Sequence, residues 1–237
     1  MPTRTKFVFL MHPYEFKRIK ANTGRLTHLC LADSELHVGE SFDDHATVQA
    51  LINDPKNHPV LLYPGRDSLD LSEAGSVGQG AKSQTDYSSS ELSALRSTLE
   101  QRRLVVFLLD ATWRLVRPML RTSPSLQRLP RIMFSSAAPS RYVIKHQPEP
   151  GCLSTLEAVH ELLTVLDRAG LDHYAQPEQL LGLFQRMQDF QLRCTAESKR
   201  LGLRRHVLRD PPARPPPAPR PLPKRRRIFP LTERPKT

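Results

Sequence analysis

Short apolar runs alternating with helix-like patterns predict an α/β domain, with a mostly parallel sheet flanked by helices. Two observations carry that class. LVVFLL (104–109) is apolar without interruption, as in a central strand covered on both faces. Strand-like and helix-like segments also take turns along the chain instead of segregating.

Taken in order, KFVFLM (6–11) is the first strand. HPYEFKRIKANTGRL (12–26) follows as a basic loop in which Asn-Thr-Gly signals a turn. SELHVGES (34–41) is a weaker strand, a helix runs over about 44–53, and VLLY (60–63) is a strand. The Gly- and Ser-rich stretch 65–90 predicts an irregular, mobile loop, a kind of segment that often serves function. A helix over about 90–102 precedes the central strand, and another over 112–121 follows it. RIMF (131–134) is the last strand, before helices over 154–168 and 177–200. In the final helix Leu180, Phe184, Met187, Phe190 and Cys194 recur at helical spacing and predict a core-facing stripe.

Length and charge set the organisation. A chain of 237 residues fits one large domain, and its 38% hydrophobic content suggests that part of it joins no core. That part is the C-terminus, where the last 27 residues hold 10 of the 22 prolines and predict an extended, disordered arm. Residues 209–237 carry nine Lys/Arg against Asp210 and Glu233, a surplus of seven within a net charge of +11. The expected division is a folded domain over 1–208 and a basic proline-rich tail over 209–237. Such a charge distribution fits a polyanionic partner, nucleic acid first, with KRRR (224–227) as a phosphate contact; plain solubility explains the surplus equally well.

Other classes are disfavoured. Cys30, Cys152 and Cys194 are odd in number and widely spaced, so they make neither a disulfide framework nor a metal knuckle, and a reduced, cytoplasmic protein is expected. No apolar run approaches a membrane span, KFVFLM is too short for a signal-peptide core, and no membrane association or export is expected. Phosphate-loop and dinucleotide-binding glycine patterns are absent.

In an open parallel sheet a ligand site lies beyond the carboxyl ends of the strands. LLYPG and FLLDATW both finish there, which puts Asp110 in the crevice as a hydrogen-bond or proton acceptor and Trp113 beside it as a stacking platform. Equally, Asp110 could cap the helix starting near Thr112 while Trp113 fills a core gap. Ser154 and Glu157 form a capping box, which accounts for both, although a helix start also offers amides to a ligand. Arg18 and Arg25 could grip a carboxylate or phosphate, or simply belong to a solvated basic loop.

MHPYEFKRIKANTGRL (11–26), LLYPG (61–65), LLDATWRLVRPMLRTSPSLQRLP (108–130) and SRYVIKHQPEPGCLSTLEAV (140–159), in that order, resemble the DTW-domain tRNA-uridine aminocarboxypropyltransferases, distant relatives of the knotted SPOUT-type methyltransferases. The resemblance implies a SPOUT-like fold with a C-terminal trefoil knot. It implies S-adenosylmethionine as donor of a 3-amino-3-carboxypropyl group to N3 of a tRNA uridine, with methylthioadenosine leaving. Asp110 would be the catalytic carboxylate, either a base raised by burial above an ordinary Asp pKa of about 3.9 or a group that orients the uracil edge. Tyr63, Pro64, Gly65, Thr112, Leu153, Ser154, Thr155 and Glu157 would hold the donor. Arg18, Asn22, Thr23, Gly24, Arg25 and Arg141 would face the methionine carboxylate or RNA phosphates, with Trp113 and Tyr142 against a flipped base. Many relatives begin with a cysteine-rich zinc segment; this chain has none before MHPYE, so no metal is expected, and no obligate protein partner is evident. The same chemistry on ribosomal RNA, or a non-catalytic RNA-binding protein on this fold, are the competing readings.

Overall fold

A computed structural model describes residues 1–19, 21–65, 67–72, 85–134, 139–144 and 152–202. The basic tail from 209, half of the Gly/Ser-rich stretch, and residues 145–151 of the last resemblance stretch lie outside the described residues. The chain divides into two compact units, Met1–Ala196 and Glu197–Thr237.

In chain order the elements are β1 (Lys6–Met11), α1 (Pro13–Arg18), α2 (Thr23–Cys30), β2 (Ser34–Val38), α3 (Ala46–Asn53), β3 (Asn57–Leu62) and β4 (Ser68–Asp70). They continue with α4 (Thr85–Leu99), β5 (Arg103–Asp110), α5 (Trp113–Arg121), α6 (Pro124–Gln127), β6 (Arg131–Met133), α7 (Thr155–Arg168) and α8 (Pro177–Arg200). The six strands form one sheet in the order β2-β1-β5-β3-β6-β4, and every pairing is parallel. The α/β class and the central position of residues 104–109 therefore hold.

Alternate residues of the adjacent strands β1 and β5 feed two cores. Phe7 and Phe9 of β1 and Leu104, Val106 and Leu108 of β5 meet Leu156, Val159 and Leu163 of α7, Leu180 and Phe184 of α8 and Leu95 of α4. Val8 and Leu10 of β1 and Val105 and Phe107 of β5 point the other way, onto Val48 of α3, Met119 of α5 and Leu126 of α6. A strand buried on both faces has no polar alternation, which is why β1 and β5 read as continuous apolar runs.

Several expectations are corrected. Residues 12–26 form two helices, not a loop: Pro13 opens α1 with the His12 side chain as cap, and Asn22 caps α2 by accepting from the Arg25 amide at 2.8 Å. Asn-Thr-Gly is thus a helix start, a position Asn favours as strongly as a turn. The Gly/Ser-rich stretch contains β4 and the first turn of α4. The stripe on α8 is core only at its beginning: Leu180 and Phe184 are buried, whereas Phe190 is 60% exposed and Cys194 is exposed too. Among the described residues no helix is long and apolar enough to cross a membrane.

Candidate active site

After β1 the chain turns toward β2, and after β5 it crosses β3 to reach β6. The connections diverge at the β1–β5 pair, the switch point where parallel sheets open a crevice at their carboxyl ends. Met11 and Asp110 pair in register there, and the His12 amide donates to the Asp110 carbonyl at 3.1 Å.

Asp110 is 5% exposed, and its Oδ1 accepts from the Thr155 hydroxyl at 2.7 Å. It is therefore tied to the start of α7. It does not cap α5, whose N-cap is Thr112. On its other side the carboxylate lies against Gly24 in the first turn of α2. A Cβ on Gly24 would come 3.0 Å from Oδ1 and impossibly close to Oδ2 and Cγ. Gly24 is thus the residue that admits Asp110 to this position, at the cost of a weak helix former inside α2.

Two cavities meet here. One, of about 260 Å³, is mostly apolar: Tyr63, Pro64, Leu108, Met133, Cys152 and Ala158 contribute to its wall. The other, of about 430 Å³, is the more polar of the two, and its wall includes Glu15, Asn22, Thr23, Asp110, Thr112, Tyr142 and Ser154. Ala111, Trp113, Leu153 and Thr155 line both. Trp113 is 43% exposed, so it stands at the mouth and fills no core gap.

Glu157 serves behind the wall. Its carboxylate completes the capping box with Ser154, and also accepts from the Ser140 hydroxyl at 2.9 Å and the Arg141 amide at 2.6 Å. The Val143 amide donates to the buried Gln188 side chain at 2.8 Å. These bonds pin 140–143 and hold Tyr142 against the polar cavity, with its ring edge-on to Phe184 at 5.3 Å. Burial first, then the charges of Glu15 and Glu157, push the Tyr142 hydroxyl above its ordinary range, keeping it a neutral donor.

The structure brings together Asp110, Thr112, Trp113, Tyr142, Leu153, Ser154 and Thr155 with Asn22 and Thr23, and places Tyr63 and Pro64 on the adjoining apolar wall. Gly65 lies just beyond that wall, with its carbonyl accepting from the Ser68 amide. Arg18, Arg25 and Arg141 are exposed and line neither cavity; the Arg25 guanidinium lies over the Phe16 ring at 4.7 Å. Reading the sequence missed Glu15, which is 2% exposed on the polar wall. The signal was present: Pro after a capping His starts a helix, and Glu15 falls in its first turn.

The chain is 30% identical over 168 residues, 69% of its length, to tRNA-uridine aminocarboxypropyltransferase 2 of Drosophila melanogaster. It is 26% identical over 198 residues, 81% of its length, to the protein of that name from Mus musculus. These alignments span 57% and 59% of the two relatives. No solved structure matches the chain significantly. The DTW domain matches residues 1–192, and the chain belongs to the DTW domain family.

Proposed function

We propose that the protein transfers a 3-amino-3-carboxypropyl group from S-adenosylmethionine to N3 of a tRNA uridine. The observation that carries this reading is the buried Asp110 carboxylate, held by Thr155 where an apolar and a polar cavity share a wall. The names of the matched relatives support the same reaction and acceptor.

The residues fit the donor. An adenosyl group suits the apolar wall of Tyr63, Pro64, Cys152 and Leu153, and a zwitterionic amino acid suits the polar cavity. When bound, the donor supplies a sulfonium-activated γ-carbon, so that methylthioadenosine is the leaving product. The chain's part is positioning. The four residues that line both cavities fix which carbon faces the acceptor, and geometry of that kind decides between methyl and aminocarboxypropyl transfer. Thr155 holds the Asp110 carboxylate in one rotamer as an acceptor for the uracil N3 proton. Trp113, exposed at the mouth, offers a ring face to an unpaired base.

Two further parts of the proposal concern topology and the tail. A C-terminal trefoil knot, as SPOUT kinship implies, is the proposed topology. Residues 209–237, with nine Lys/Arg, add phosphate contacts.

The test is incubation of the purified protein with S-adenosylmethionine and unmodified tRNA or ribosomal RNA, followed by mass spectrometry of the nucleosides. The expected product is aminocarboxypropyluridine in the tRNA arm, with methylthioadenosine in equal amount. Modification of ribosomal RNA alone would move the substrate; transfer to neither would reject the enzyme reading.

A further inference from the structure

Glu15 is a buried acid with unfilled hydrogen-bonding capacity beside the candidate reaction centre. It is 2% exposed, it lines the polar cavity with Asp110, and its Oε1 has no hydrogen-bond partner among the described residues. Nor does it form an ion pair there: Lys17 and Arg18 of α1 and Arg25 of α2 are exposed and line neither cavity. Buried acids are ordinarily paired, because an uncompensated carboxylate away from water is costly. One that lines a cavity has its partner in whatever fills that cavity.

From this geometry we infer that Glu15 binds the α-ammonium of the amino-acid group being transferred, and so sets which end of that zwitterion lies in the polar cavity. The inference rests on the donor assignment above. Two arguments select the ammonium over the uracil. A uracil edge offers one N–H between two carbonyl oxygens; with that N–H directed to Asp110, a second carboxylate would face only acceptors. An ammonium offers three donors and a full positive charge, which matches a buried acid in a cavity that already holds another carboxylate. Tyr142 lines the same cavity as Glu15, so the two side chains share that space. A carboxylate next to Glu15 would be repelled, so the amino acid is admitted in one orientation.

Calorimetry on the full chain separates this role from a structural one, with S-adenosylmethionine and methylthioadenosine as probes and Glu15→Gln and Glu15→Ala as variants. Methylthioadenosine keeps the adenosyl part and lacks the ammonium. Both variants are expected to lose at least tenfold in affinity for S-adenosylmethionine and to bind methylthioadenosine within twofold of wild type. Their melting temperatures without ligand are expected to equal or exceed that of wild type, since an uncompensated buried charge is removed. Equal loss of both affinities, or a lowered melting temperature with loss of both, would overturn the inference in favour of a structural role. Unchanged S-adenosylmethionine affinity in both variants would overturn it as well. Failure of the wild type to bind either probe would reject the donor assignment itself, and the inference with it.

Discussion

Gly24 and Asp110 are legible only as a pair. In the sequence Gly24 reads as the end of a turn signal; in the fold it is a helical residue whose missing side chain leaves room for a carboxylate from another element. Gly24→Ala gains roughly 0.5–1 kcal/mol of helix propensity. Overpacking typically costs about 1–3 kcal/mol, so the net effect is destabilising, and it is read as a lower urea midpoint. Because the displaced group is Asp110, transfer is expected to fall further than stability, whereas a midpoint above wild type would refute the close approach. Asp110→Asn tests the carboxylate itself. The amide keeps the shape and still accepts from Thr155, so calorimetry should show S-adenosylmethionine affinity within a few-fold of wild type. Single-turnover transfer is expected to drop by about 10²–10⁴, the range for loss of a general base. Asp110 and Trp113 were visible in the sequence because they end the most apolar run in the chain. Glu15 was not, because its burial depends on the placement of α1 and because Lys17 and Arg18, soon after it, make the stretch read as basic and solvated.

Helix α7 connects the core to the site: its apolar face packs under the sheet while its first turn carries Ser154, Thr155 and Glu157. The capping box was readable at sequence level, but its second use was not, since Ser140 and Arg141 bond to Glu157 across a stretch that spacing does not reveal. That difference is measurable. Ser154→Ala removes one cap at a cost of about 1 kcal/mol. Glu157→Ala strips the acceptor from the Ser140 hydroxyl and the Arg141 and Ser154 amides at once, and an expected cost of about 2–4 kcal/mol follows from leaving buried donors unmet. Equal urea midpoints for the two variants would show that residues 140–142 are anchored by other contacts. Strand β3 shows the opposite lesson. The apolar run VLLY predicts a strand from 60, yet it starts at Asn57, before Pro59. Pro59 faces the side of β6, as the next residue of that parity does when the Leu61 amide donates to the Pro130 carbonyl. Strand β6 pairs only from Leu61 onward, so proline removes no ladder bond at position 59. Strand β4 escaped notice because three residues carry no periodicity.

On the scale of the whole molecule, the two-faced core leaves several histidines partly buried, and burial is the leading cause that lowers the pKa of His28 in α2, His58 in β3 and His160 in α7. The sign follows from linkage. An unfolded histidine takes up a proton near its ordinary pKa of about 6.5, whereas these three stay neutral in the fold to lower pH. Stability is thus expected to be level above about pH 7 and to fall as pH drops through 6.5 toward the lowered folded values; a melting temperature constant from pH 7.5 to 5.5 would contradict it. The tail from 209 to 237 holds a surplus of seven positive charges, and the rest of the chain carries the remaining four. Phosphate contacts release counterions, so each one the tail makes adds about 0.7–0.9 to the slope of log affinity against log salt. Deleting residues 209–237 is expected to weaken tRNA binding most at low salt and to reduce that slope by one such increment per lost contact. The affinity for S-adenosylmethionine and the melting temperature of the body are expected to stay unchanged, because every described residue lining the two cavities lies before position 159. An unaltered salt slope would assign RNA binding to the body alone, and the surplus charge of the tail to solubility.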